Sequence, residues 1–253
     1  MSIPRDVQDF LDGYPGQADK PNQSANFEFY SNLRRCQPDS LLIDELHDEW
    51  RGDYQTLEWN HGFIQWLFPI QEHGMNYQSQ PLQAHEISLM KADATIMARM
   101  LDSYRLMLDF YGMRLVNPET GLVARVLPPK DFAPRYRNLC RSSHNNLRIS
   151  RILKCLSELG LEHLNAGFLL HVLSEQSEHR ELCSAAIRSS MDRWWANCIR
   201  NEEERDWIRV IIQKAHAGTN GYVFTRKLYE AALERRERTG SIIEAAAEVS
   251  DGK

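Results

Sequence analysis

The chain has 253 residues, 42% of them hydrophobic and 26% charged, with a formal net charge of −5. That length and balance suit a globular protein with a real core and exclude a collagenous, rod-like or wholly disordered chain. No apolar run approaches the roughly 18 residues that a membrane-crossing helix needs, and Met1–Tyr14 has no apolar stretch behind a basic start, so no secretory signal is expected.

Taken in chain order, the pattern is helical. Residues 1–26 are rich in Pro, Gly, Asp and Gln and read as a loose arm around one short helix. A helical turn or two over Phe27–Arg35 comes next, then a helix to Trp50 with Ser40 as its N-cap. Asp53 caps a helix from Tyr54 to about Asn60, and Pro69 stops a short apolar helix over His61–Phe68. Gln71–Gln80 reads as a loop and Leu82–Met90 as a short helix. The plainest helix spans about Asp93–Tyr111, where apolar residues recur at spacings of three and four before Gly112. Leu122–Leu127 reads as a strand, and Pro128, Pro129 and Pro134 break regular structure beyond it. A second plain helix covers about Asn145–Leu159, with Ser142 or Ser143 as cap and Gly160 as stop. Four more helices are expected over Ala166–Ser177, Leu182–Asn201, Glu203–Ala217 and Phe224–Arg238, and a frayed one within 241–253. The expected fold is all-α: one compact multi-helix domain over 27–240, with at most one short strand pair in 113–131.

Enzyme signatures are missing. There is no phosphate-binding GxxxxGK[ST] loop, no GxGxxG, no GxSxG and no HExxH, so no catalytic residue can be named and the expectation is a protein that is not an enzyme. The nine histidines form no set at metal-ligand spacing, so no metal and no cofactor are expected. The five cysteines are odd in number and lack CxxC spacing, which fits a reducing intracellular compartment.

Two segments stand out as candidate binding elements. The first is Arg141–Arg151, where His144, Asn145 and Asn146 lie at a helix start whose free N–H groups attract anions. Arg148 and Arg151 share a helix face there, and Arg137 and Arg141 precede them. Capping by Ser143 and Asn145 is an equally good explanation of the same residues. From Leu122 to Ser157 eight bases against one acid give +7, which leaves −12 for the remainder. Residues 39–58 hold seven acids and one base, −6, so the two segments could neutralise each other, or the basic one could take an external phosphate, nucleic acid or carboxylate. The second segment is Trp59–Pro69, with Trp59, Phe63, Trp66 and Phe68 in ten residues. His61 and Gln65 are four apart and face one way. A core helix explains the aromatics; a ligand pocket explains Trp66 together with His61 and Gln65.

The stretches Trp50-Arg-Gly-Asp-Tyr54, Leu57-Glu-Trp-Asn-His61, Ile64-Gln-Trp-Leu-Phe-Pro69, Ser103-Tyr-Arg-Leu-Met-Leu108, Phe110-Tyr-Gly-Met-Arg-Leu115 and His144-Asn-Asn-Leu-Arg148 stand in this order. Together they resemble the conserved domain of the opioid growth factor receptor family, from about Phe27 to His163 and more weakly to about Ala217. The resemblance implies a helical receptor-like domain, a small enkephalin-like peptide as partner, and a part in growth signalling. It also implies a nuclear or cytoplasmic location with peripheral membrane association. No compact Lys/Arg import run is present, which departs from a nuclear family member. The resemblance carries no ligand-contacting residues with it.

Overall fold

In the computed structural model, residues 3–244 are described, and thirteen α-helices and one two-stranded hairpin are found among them. The N-terminal half is built on α2 (Ala25–Tyr30), α3 (Ile43–Trp50) and α6 (Ala84–Ala92), all packed on the long α7 (Ala94–Phe110). Asp93 starts α7 by accepting from the N–H groups of Thr95 and Ile96 at 2.8 and 3.1 Å. The C-terminal half is organised around α10 (Glu162–Glu178), which touches α9 (His144–Glu158), α12 (Glu202–Ala217), α13 (Arg226–Thr239) and the hairpin. Its residues from Leu164 to Gln176 are buried on every side, as an apolar helix enclosed by neighbours must be.

The hairpin pairs β1 (Met113–Asn117) with β2 (Leu122–Arg125), antiparallel, with Met113 opposite Arg125 and a bulge after Leu115. Gly121 and Gly167 let it sit on α10. Gly121 has φ +79°, and a Cβ on Gly167 would lie 1.9 Å from the Gly121 carbonyl oxygen. Among the described residues the architecture is therefore all-α with a single short strand pair, as expected.

Several local expectations change. The short helix expected in the N-terminal arm is α1 (Arg5–Leu11), but the arm around it is packed: Val7, Phe10 and Tyr14 are buried, and Arg200 donates to the Phe10 carbonyl at 3.2 Å. Apolar residues spaced three or four apart anchor a segment whose overall composition is polar. Ser40 does not cap α3. It lies in left-handed backbone, and Glu45 closes the helix start by accepting from the Leu42 N–H at 3.0 Å. Pro134 does not end structure. It sits in the first turn of α8 (Phe132–Arg141), where a missing N–H leaves no helical bond unmade. The helix expected over Leu182–Asn201 is α11 (Ala185–Arg193) followed by a 3-10 turn at Trp195–Asn197. Ser241–Glu244 follows α13 without helix, and the rest of the expected tail helix, 245–253, lies outside the described residues.

Candidate functional site

The start of α9 does attract an anion, and the anion is internal. Glu58, at the end of α4 (Tyr54–Trp59), accepts from Asn138 Nδ2 at 2.7 Å and from Asn145 Nδ2 at 3.3 Å. His144 Nε2 lies 3.2 Å from its other oxygen. Burial works to raise the Glu58 pKa, but hydrogen bonds from Asn138, Ser142 and Asn145 hold it below the usual carboxylate range. Burial, and then the charge of Arg148, lower the His144 pKa, with Glu58 opposing. The Ser143 hydroxyl makes no capping bond. Asn145 is fully buried and belongs to this internal cluster.

Arg148 is a structural arginine. It is 4% exposed and spans the end of α4, donating to the carbonyls of Leu57, Glu58 and Asn60 at 2.7, 3.3 and 2.6 Å. A fork of N–H donors thus satisfies carbonyls that a short helix leaves open at its C-terminus.

Arg151, one turn on, is different. Its Nε donates to the Phe68 carbonyl at 2.7 Å, and it makes no ion pair among the described residues. Burial pulls its guanidinium pKa down to about 10, so it stays charged at neutral pH. It lines an open groove of about 520 Å³ between α9, α5 (Ile64–Leu67) and the 71–80 loop. Ile64, Ile70, Met75, Leu147 and Trp194 form the apolar walls. Met75 and Leu147, at the rim, are 94% and 71% exposed. His61, Gln65, His144 and part of Arg148 complete the lining, and the His61 and His144 rings stand 5.2 Å apart. The Gln65 amide lies 3.0 Å from the carbonyls of both His61 and Gly62, a setting that assigns its nitrogen, as donor, to that side. Gly74 approaches so closely that a Cβ there would lie 2.5 Å from Gln65 Cγ and 3.2 Å from the Arg151 guanidinium.

One end of the groove is acidic. Asp6 and Glu72 line it and continue into an adjoining pocket with Asp9 and Tyr14. Lys154, 2% exposed, bridges Asp6 and Glu72 at 3.0 and 2.6 Å. The arrangement offers a cation, an apolar trough and carboxylates in one continuous cleft.

Five of the expected site residues therefore converge: His61, Gln65, His144, Arg148 and Arg151. The others do not line the groove. Trp66 is core and donates to the Gln37 carbonyl at 3.0 Å. Asn146 is buried and its carbonyl accepts from Trp195 at 3.1 Å. Arg137 and Arg141 are exposed on α8. Asp6, Glu72, Met75 and Trp194 had no signal in the sequence, because they reach the groove from three segments outside the two that stood out.

The basic segment is largely neutralised at home, and residues 39–58 contribute to this through Glu58, which faces His144, and through the Leu57 and Glu58 carbonyls that Arg148 holds. Arg125 pairs with Glu175, Lys130 with Asp109, and Lys154 with Asp6 and Glu72. Arg135 donates to the Phe110 carbonyl at 2.7 Å. In the acidic segment, Asp44 pairs with Arg99 and Glu45 with Arg35. Of this segment's arginines, Arg137 and Arg141 make neither an ion pair nor a side-chain hydrogen bond among the described residues, and Arg151 makes only its bond to Phe68.

Residues 19–229 match the family described as the opioid growth factor receptor conserved region. The chain is 38% identical to the mouse opioid growth factor receptor over 203 residues, 79% of this chain and 31% of that protein. It is 34% identical to the rat opioid growth factor receptor-like protein 1 over 222 residues, 87% of this chain and 46% of that protein. The chain thus spans about a third to a half of the curated relatives it matches. No solved structure matches it.

Proposed function

The chain belongs to the opioid growth factor receptor family, and from that premise we propose that its domain is a non-enzymatic receptor module whose groove beside Arg151 binds a short zwitterionic peptide of the enkephalin type. The observation that carries this reading is Arg151: a half-enclosed guanidinium with one backbone bond, no ion pair among the described residues, and an apolar trough in front of it. Its remaining N–H donors suit a terminal carboxylate, whose two oxygens match the guanidinium fork. Met75, Leu147 and Trp194 suit the aromatic and thioether side chains of such a peptide, and Asp6 and Asp9 suit its amine. A part in growth signalling is proposed on the same premise.

Isothermal titration with methionine-enkephalin and its C-terminal amide tests the assignment. Arg151→Ala and amidation are each expected to weaken binding about tenfold or more, and together no more than either alone, since both remove one contact. Unchanged affinity of the free acid for Arg151→Ala would sink this reading.

A further inference from the structure

A second pocket, of about 310 Å³, opens between the end of α10, the 179–184 loop and the last turn of α12, and it shares no lining residue with the groove. No Asp or Glu lines it, whereas Arg180 and Arg188 both do. Neither arginine makes an ion pair or a side-chain hydrogen bond among the described residues, and the Arg188 Nε is shut off from solvent without a partner. Elsewhere the buried guanidinium groups of this protein hold carboxylates or carbonyls, as Arg125, Arg148 and Arg236 do. Arg180 also occupies left-handed backbone (φ 58°) just after α10, a position where glycine is the unstrained choice.

The rest of the lining is built to hold this opening in shape. Gln176 Nε2 donates to the Leu182 carbonyl at 2.8 Å, so its oxygen must accept from His216 Nε2 at 2.9 Å. His216 Nδ1 faces Asp192 at 3.3 Å, which places that carboxylate behind the ring, outside the lining. Ser177 Oγ accepts from the Phe224 N–H at 2.7 Å, and its own O–H has no acceptor among the described residues. Lys214 sits 4.2 Å from the Tyr222 ring centroid, adding a third cation beside the pocket wall.

We propose that this pocket binds the phosphate monoester of a small polar molecule, its phosphate held by Arg180, Arg188 and the Ser177 hydroxyl and its body against Tyr222. Two guanidinium groups without an ion pair among the described residues attract a dianion and match its oxygens two at a time. The volume lies at the lower end of small-ligand pockets, about 300–1,000 Å³, and leaves room for more than the phosphate. The site is independent of the groove, and its residues lie outside the +7 segment.

Titration calorimetry on the full chain, with glycerol 3-phosphate, inorganic phosphate and glycerol as probes, decides the matter. Glycerol 3-phosphate is expected to bind, inorganic phosphate to bind more weakly and glycerol not at all. Arg188→Ala and Arg180→Ala should each weaken the monoester about tenfold, and Arg151→Ala should leave it within about twofold. Arg180 is exposed, so its variant keeps the test open if Arg188→Ala does not fold. Monoester binding that survives both substitutions, no binding at millimolar concentration, or phosphate binding as tightly as the monoester each overturns the proposal.

Discussion

Arg148 and Arg151 lie three residues apart on α9, and the protein uses them in opposite ways. Arg148 gives its donors to the three carbonyls at the end of α4, while Arg151 gives one to Phe68 and turns the rest of its guanidinium to the groove. Spacing alone makes them look alike, because a shared helix face says nothing of what stands opposite. Arg148→Ala leaves those carbonyls without donors in a closed environment, and the expected loss of stability is about 3 kcal/mol. Arg151→Ala removes a single backbone bond beside an open groove, and about 1 kcal/mol is expected. Urea denaturation of both variants measures the pair. If Arg148→Ala stayed within about 0.5 kcal/mol of wild type, its role as the closing group of α4 would fail.

At the scale of elements, legibility tracks local periodicity. The apolar stripes of α7 and α9 and the Asp53 cap are plain in the sequence, since each is settled by residues within a turn or two. The start of α8 is hidden by Pro134, whereas the strand pair falls within the expected 113–131. The groove is half legible: α9 and the His61–Gln65 turn carry side chains at readable spacing, whereas Asp6, Glu72 and Trp194 arrive through tertiary packing. Gly167 makes the same point in energetic form. In an exposed helix interior, Gly→Ala stabilises by about 1 kcal/mol. Here the added Cβ would lie 1.9 Å from the Gly121 oxygen, and backbone cannot swing aside as a side chain can. Gly167→Ala is therefore expected to destabilise by about 3 kcal/mol, through displacement of the hairpin from α10. A thermal melt gives the sign directly, and a rise in Tm would refute the close approach.

At the scale of the whole molecule, the net charge of −5 conceals a +7 segment whose cations are mostly spent on internal carboxylates and carbonyls. Two buried histidines set a sharper global property. His47, whose Nε2 lies 2.8 Å from Ser103 Oγ, has its pKa lowered by burial from 6.5 to about 4. His171, whose Nε2 lies 3.0 Å from the Tyr136 hydroxyl, has its pKa lowered by burial to about 3. The unfolded chain binds a proton at each below pH 6.5, and the folded protein refuses it. Stability is thus full above pH 6.5 and falls as the pH drops toward 4 for His47 and toward 3 for His171. Each histidine removes up to about 1.4 kcal/mol per pH unit in that window, so the two together should remove roughly 2 kcal/mol between pH 6 and pH 5. Urea unfolding at pH 7, 6 and 5 measures the slope, and His47→Gln or His171→Gln should each flatten it by about one proton. A slope near zero in wild type would mean that these imidazoles take up protons in the folded state, and that the core around Ser103 and Tyr136 admits water.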